Sequence, residues 1–340
     1  MNSKLIGFGF LILSFSLSCT DKKPVYDSFS GFVQGTTYSI VFESNRKSDP
    51  RNLKARVEEI LHDFDMSLSL YKDSSILSKI NRNEKVVPDS FFIEAFNKSK
   101  TIFEQTGGAF DITVGPLVKA WGFGPDAKKN FSESKRDSLL KLVGMNKVQI
   151  KDGMVTKTDP HISLDFNAIA QGYSVDVICG YMDGLYIKSY LVEIGGEVRA
   201  KGTKGGALWR IGIDKPVDNN NSPGSDLEAI IRIKDEALAT SGNYRKFYIE
   251  NGIKYSHTID PKTGYPARNK LLSATIIAGD CASADGFATA CMVMGKEKSI
   301  DFLNNHPELE AFLVYSDDNG NFKTWFTEKL RNSISESEIN

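Results

Sequence analysis

The run Ser189-Tyr190-Leu191-Val192-Glu193-Ile194-Gly195-Gly196-Glu197-Val198-Arg199-Ala200 reads as two short strands folded back on one another. A mostly apolar segment ends at a Gly-Gly turn, and a second strand begins at Glu197. Downstream the pattern repeats, with strands predicted over Trp209–Ile213, Ala229–Ile233, Tyr244–Ile249, Tyr255–Ile259 and Ser273–Ile277. Connections this short favour antiparallel pairing, because a parallel crossover needs a dozen or more residues. Upstream, Gly31–Phe42 alternates around Gly35-Thr36 as another strand pair. Val148–Lys157 reads as a hairpin turning at Asp152-Gly153, and further strands fall at Leu309–Tyr315 and Phe322–Trp325.

Helices fall between and after these strands. Asp49 caps and Pro50 opens one that places Leu53, Val57, Ile60, Leu61 and Phe64 on a single face. A second spans about Asp89 to Thr106 and stops at Gly107-Gly108. Residues 134–143 are helical, as is the stretch from Asn167 to about Met182, and a helix of small residues from Cys281 to Met294 ends at Gly295. The predicted class is α+β, mainly antiparallel sheets with packed helices, as one large domain or two intimate subdomains.

With 340 residues, 41% hydrophobic and 25% charged, the chain can bury a substantial core. Its 42 basic and 43 acidic residues give a formal charge of −1, so no general attraction to nucleic acid is implied. Residues 1–18 carry one charge, Lys4, then the apolar run Leu5–Leu13, the layout of a secretory signal too short in its apolar part to span a bilayer. Leu17-Ser18-Cys19 resembles a bacterial lipobox, which makes Cys19 the expected lipidated first residue of a tether over 19–26, with several acyl chains giving stable anchoring. The main domain is expected over 27–330 and a polar, frayed tail over 331–340. The remaining cysteines, Cys179, Cys281 and Cys291, are odd in number and read as buried apolar residues.

Two segments carry chemistry. Tyr255-Ser256-His257-Thr258-Ile259-Asp260-Pro261-Lys262-Thr263-Gly264-Tyr265-Pro266 sets an imidazole and a carboxylate three residues apart before a Pro and Gly turn. In Ser283-Ala284-Asp285-Gly286-Phe287-Ala288-Thr289-Ala290, Asp285 and Thr289 stand at i and i+4 and share a helix face. A carboxylate and a hydroxyl so placed suit Mg²⁺, which takes few protein oxygens and completes its shell with phosphates. The plain alternatives are a structural histidine and a helix-capping aspartate. No G-x-x-x-x-G-K-[ST] loop or H-E-x-x-H is present, and four histidines make a local zinc cluster improbable.

Further glycine- and oxygen-rich turns lie at Gly107–Val118, Leu164–Tyr173, Leu191–Glu197 and Ala239–Tyr244. Taken in order with the two segments above, they make the chain similar, from about Gly35 to Gly295, to the flavin transferase family called ApbE. That resemblance implies transfer of the FMN half of FAD onto a threonine or serine hydroxyl of an acceptor protein, with Mg²⁺ and release of AMP. Some members instead hydrolyse FAD to FMN and AMP, and a surface lipoprotein that binds flavin without turnover is the third reading. The resemblance implies metal ligation by Asp285, Thr289 and the main-chain carbonyl of Ala168. It implies FAD contacts at Gln34, Tyr71, Ala109, Phe110, Asp111, Asp165, Gln171 and Ile259. Gln34 stands where many relatives carry Met, and Gln171 where the residue is commonly charged; Tyr71 and Phe110 read equally well as core aromatics. For the acceptor hydroxyl a base is needed near neutral pH. His257 has the suitable intrinsic chemistry, with Asp260 either orienting it or holding the turn.

Overall fold

The computed structural model describes residues 24–45, 49–124, 131–217, 224–243, 247–250 and 253–335. Cys19, the signal over 1–18, the tether up to residue 23 and the last five residues lie outside the described residues. Strands β1 (Tyr26–Val33) and β2 (Thr36–Glu43) form the first hairpin, turning at Gln34 and Gly35, both with positive φ. Next come α1 (Pro50–Leu68), α2 (Ile76–Asn81), α3 (Ser90–Gln105), α4 (Gly115–Trp121) and α5 (Glu133–Leu140). The hairpin of β3 (Val148–Lys151) and β4 (Met154–Lys157) precedes α6 (Ala170–Gly184). The chain continues through β5 (Tyr190–Ile194), β6 (Glu197–Lys201), β7 (Trp209–Asp214), β8 (Leu227–Ile233), β9 (Ala237–Gly242), β10 (Phe247–Glu250), β11 (Ile253–Ser256) and β12 (Leu271–Ala278). It ends with α7 (Cys281–Met294), α8 (Lys296–Asn304), β13 (Glu310–Ser316), β14 (Phe322–Phe326) and β15 (Ile334–Ser335).

Eight strands make one sheet in the order β1-β2-β5-β6-β9-β12-β13-β14, and every neighbouring pair is antiparallel, including pairs such as β2 and β5 that are distant in the chain. A core of Phe92, Phe110, Phe166, Ala274, Ile276 and Ala288 fills the space between its helix-covered face and α3, α6 and α7. On the other face, Val198, Leu238, Ile277 and Phe312 meet Trp209, Ile211, Ile231 and Ile233 of the three-stranded sheet β15-β8-β7. Alternation along each strand sends successive side chains to these two cores. The observed α+β architecture is the expected one.

Three local readings change. The run Ala239–Tyr244 was expected to be a turn, yet its residues up to Gly242 belong to β9 in the middle of the sheet, bonded to both β6 and β12. Small residues fit there because α7 packs directly on the strand, leaving no room for longer side chains. The strand expected to reach Ile259 stops at Ser256, and Ile259 keeps only an isolated bridge to Pro266. The tail expected to fray over 331–340 keeps structure to Ser335: β15 pairs with β8, and Leu330 just before it is buried.

Register places the site. The turns Gln34-Gly35 and Gly195-Gly196 are adjacent, because the Gly195 amide donates to the Thr37 carbonyl. Pairing of Val198 with Leu238 and of Gly242 with Ser273 brings the end of β9 and the start of β12 to the same rim. Tyr26, where the described chain enters the sheet, lies at the opposite rim beside Thr203 and Gly205.

Candidate active site

Helices α6 and α7 assemble the first half of the site at that rim. Gly172, in the first turn of α6, approaches α7 so closely that a Cβ there would lie 2.4 Å from the Cys281 carbonyl oxygen and 2.8 Å from Asp285 Cβ. Only glycine permits this spacing. The Gly172 amide donates to Asp285 Oδ2 at 3.0 Å. By helix periodicity its acceptor would have been the carbonyl of Ala168, four residues back. No backbone partner of that carbonyl is seen among the described residues. One turn along α7 from Asp285, the Thr289 hydroxyl meets Ser241 of β9 at 3.2 Å.

Asp285 is 7% exposed, and burial pushes its carboxyl up to about 7 in spite of the Gly172 amide. No cationic side chain is among the groups that act on it. A carboxylate buried without a counter-charge is costly, and a cation beside it would reverse the shift. Among the described residues no group of three or more His, Cys, Asp and Glu could hold a metal. Any ion here is therefore taken by a mixed oxygen set, and carboxylate, hydroxyl and carbonyl are the donors that suit a hard divalent cation. The residues present fit Mg²⁺.

Gln171 lies over the glycine turn: a Cβ on Gly195 would fall 1.7 Å from Gln171 Nε2, which accounts for Gly-Gly at that point. The Gln171 carbonyl accepts from Ser174, whose hydroxyl reaches Gln34 Oε1 at 3.4 Å, and the Gln34 side chain also acts on the Asp65 carboxyl. Gln34 and Gln171 thus meet at the glycine turn, next in sequence to the Gly172 amide that holds Asp285 one turn from Thr289.

A second group gathers around the segment before α6. The Asp165 amide donates to the Ile112 carbonyl at 2.7 Å, and Asp165 Oδ1 accepts from Asn167 at 2.8 Å. Burial drives the Asp165 carboxyl up to about 6. Tyr71 projects nearby, 65% exposed, its phenol raised by partial burial and then by the Asp165 charge. An aromatic ring left this open beside a cleft is available to stack on a planar ligand. Ala109, Phe110 and Asp111 are all buried: Phe110 belongs to the core, and Asp111 Oδ1 accepts from the Thr113 amide and hydroxyl at 2.8 and 2.6 Å. Their backbone is engaged as well: the Ala109 amide donates to the Thr106 carbonyl, the Phe110 amide to the Thr106 hydroxyl, and the Asp111 carbonyl accepts from the Val114 amide.

The third group is the loop after β11. His257 is half-buried, edge-on to Phe123 with ring centroids 6.4 Å apart. Ile259 packs with Leu117, Trp121 and Val143, and Trp121 Nε1 donates to the Gly264 carbonyl at 2.8 Å. Asp260 spends both oxygens on its own turn, Oδ1 on the Lys262 amide and Oδ2 on the Thr263 hydroxyl. These bonds fit the second of its two expected roles, holding the turn.

Ser241 and Gly172 were within the segments singled out from sequence but carried no assigned role. Ser241 was hidden by the mistaken turn over β9. Gly172 had a signal, a glycine inside a helix, which marks either a weak point or a close approach.

The ApbE family profile matches residues 34–313. A Vibrio cholerae protein named FAD:protein FMN transferase is 32% identical over 98% of this chain and 100% of its own length. Its Haemophilus influenzae namesake is 32% identical over 94% of this chain and 95% of its own. The solved flavin transferase ApbE of Vibrio cholerae superposes with a TM-score of 0.81 at 32% identity, covering 91% of this chain and 99% of that one. The apo Pseudomonas stutzeri flavinyl transferase ApbE gives the same TM-score at 31% identity over 90% of this chain and 97% of its own. The chain belongs to the ApbE family.

Proposed function

We propose that the chain is an FAD:protein FMN transferase that uses Mg²⁺, takes a threonine or serine hydroxyl as acceptor and releases AMP. The names carried by its relatives support the transferase activity and FAD as substrate. The observation that carries the finer reading is the buried Asp285 carboxylate, held by one helix amide, next to the Thr289 hydroxyl and without a cationic neighbour.

The reaction is a displacement at phosphorus. The acceptor oxygen attacks the FMN-side phosphorus of FAD, the bond from that phosphorus to the bridging oxygen breaks, and AMP leaves with the bridge. The acceptor proton passes to a base, for which the His257 imidazole is the chosen group. When bound, Mg²⁺ supplies charge neutralisation at the pyrophosphate oxygens, and Asp285, Thr289 and the Ala168 carbonyl would hold it. Tyr71 covers the isoalloxazine, the backbone of residues 109–111 and the side chains of Gln34, Gln171 and Asp165 border the substrate, and Ile259 closes the cleft from the histidine loop. Asp260 keeps that loop in shape.

The protein is exported and held to a bacterial membrane through Cys19, most simply on the periplasmic side. The composition of the first nineteen residues supports this location. Incubation with FAD, Mg²⁺ and a threonine-bearing acceptor protein tests the activity. A fluorescent acceptor band that survives denaturation, with AMP released in equal amount, is the expected result. AMP release with no labelled acceptor would instead make the chain an FAD pyrophosphatase, and no release with any divalent metal would leave a flavin-binding protein.

A further inference from the structure

The four amides that open α7 are all accounted for, and two of them are held by a different helix. Ser283 N–H donates to the Asp280 side chain at 2.8 Å and Ala284 N–H to the Asp280 carbonyl at 3.2 Å, the ordinary pattern of an N-cap. Cys281 N–H donates to Asp176 Oδ1 at 2.9 Å and Ala282 N–H to Asp176 Oδ2 at 2.8 Å. Asp176 lies on α6, and its Oδ1 is also 2.7 Å from Arg199 Nη1 of β6. One carboxylate therefore joins α6, the start of α7 and the sheet.

Its position relative to the candidate cation site is regular. Gly172 and Asp176 are one turn apart on α6, and Cys281 and Asp285 are one turn apart on α7. The helices run antiparallel, so the contacts form two successive rungs. In one, an α6 carboxylate grips α7 amides; in the next, the α7 carboxylate of Asp285 grips the α6 amide of Gly172. The second rung ties Asp285 to the first turn of α6, four residues after Ala168. Its spacing cannot be kept unless the first rung stops α7 from sliding or rotating against α6.

We propose that Asp176 is the positioning residue of the cation site: by clamping the N-terminus of α7 to α6, it sets the Gly172–Asp285 contact and hence the separation of the Asp285 and Ala168 oxygens. It touches neither substrate nor metal. Residues of this kind, which orient ligands rather than supply them, typically change metal affinity by about 10–100-fold when removed.

The test compares Asp176→Ala with Asp183→Ala in the full-length folded protein. Asp183 is also on α6 and also accepts two hydrogen bonds, from Tyr190 and Lys201, but it lies at the far end of the helix. Two readouts are taken: exchange of the Gly172 amide hydrogen without metal, and the Kd for Mn²⁺ by electron paramagnetic resonance. Asp176→Ala should speed Gly172 exchange at least tenfold relative to α6 amides beyond residue 178, and should weaken Mn²⁺ binding by about tenfold or more. Asp183→Ala should do neither, even where it lowers the melting temperature. Asp176→Asn, which keeps one oxygen for the α7 amides, should fall between wild type and Asp176→Ala, and it carries the comparison if the alanine variant fails to fold.

Equal effects from the two aspartates, or no change at Gly172 with Asp176 removed, overturn the proposal. The Mn²⁺ readout rests on the cation site proposed above, whereas the exchange readout does not. Absence of Mn²⁺ binding in wild type would remove the cation site and leave the clamp to be decided by exchange.

Discussion

The two halves of the candidate site are built differently. The helical half, with Asp285, Thr289, Ala168 and Gln171, is fixed by direct backbone contact: a glycine that admits no Cβ, an amide given to a carboxylate, and a strand of small residues under the helix. The loop half, with His257, Ile259 and Asp260, hangs beyond the end of β11. It is held by its own turn and by packing on Trp121 and Leu117 of α4. A group that must sit at a fixed distance from another oxygen profits from the first construction. A base that must meet the hydroxyl of an incoming protein can reside on the second, since loops accommodate movement at little cost.

The sharpest way to break this contrast is Asp285→Ala. It should lower Mg²⁺-dependent AMP release by about 10³-fold or more, because the only acidic donor proposed for the cation is lost. The fold should stay intact by circular dichroism, and a small loss would show that the helical half does not hold the metal. Next comes His257→Ala, expected to reduce transfer about 10²–10⁴-fold while FAD affinity, followed by flavin fluorescence, stays within about threefold. Asp260→Ala separates base from scaffold: losing its turn bonds should cost about 1 kcal/mol in stability and only about tenfold in rate. A loss equal to that of His257→Ala would transfer the proton-accepting role to Asp260.

Gly172→Ala probes the helical half by volume. Forcing a methyl group against the Cys281 carbonyl should destabilise the protein by about 1–3 kcal/mol in urea unfolding and weaken divalent-ion binding. The smallest effect concerns Asp165. Its folded-state carboxyl is raised above the usual value, so ionisation at neutral pH works against folding, and that penalty is relieved as pH falls. Asp165→Asn, which keeps the acceptor for Asn167, should therefore stabilise the protein at pH 7.5 by about 1–2 kcal/mol, an advantage that declines below about pH 6 and is nearly gone by pH 4. A constant advantage across that range would mean that the carboxyl is not raised.

The helical half was also the more legible in sequence. A pair at i and i+4 inside a run of small residues is a local pattern, and α7 begins and ends at the expected residues, Cys281 and Met294. Connection length made the hairpins β1-β2, β5-β6 and β13-β14 legible as antiparallel. What escaped was set by neighbours distant in the chain. Ala239–Gly242 has turn-like composition and belongs to a central strand only because α7, β6 and β12 surround that strand. The bonds that Asp111 Oδ1 accepts from the Thr113 amide and hydroxyl are a local pairing that spacing did not reveal. The order of residues 328–335 depends on a second sheet that only β8 can provide.

The direction of β1 fixes how the molecule can be oriented. Its first residue, Tyr26, is tied to one rim of the sheet and its last precedes the Gln34 turn at the other, roughly 26 Å away for eight extended residues. Any leash fastened upstream of Tyr26 thus holds the body by its back. Were such a leash to moor the chain to a surface, the candidate site at the other rim would face outward, where bulky visitors can dock without passing in between.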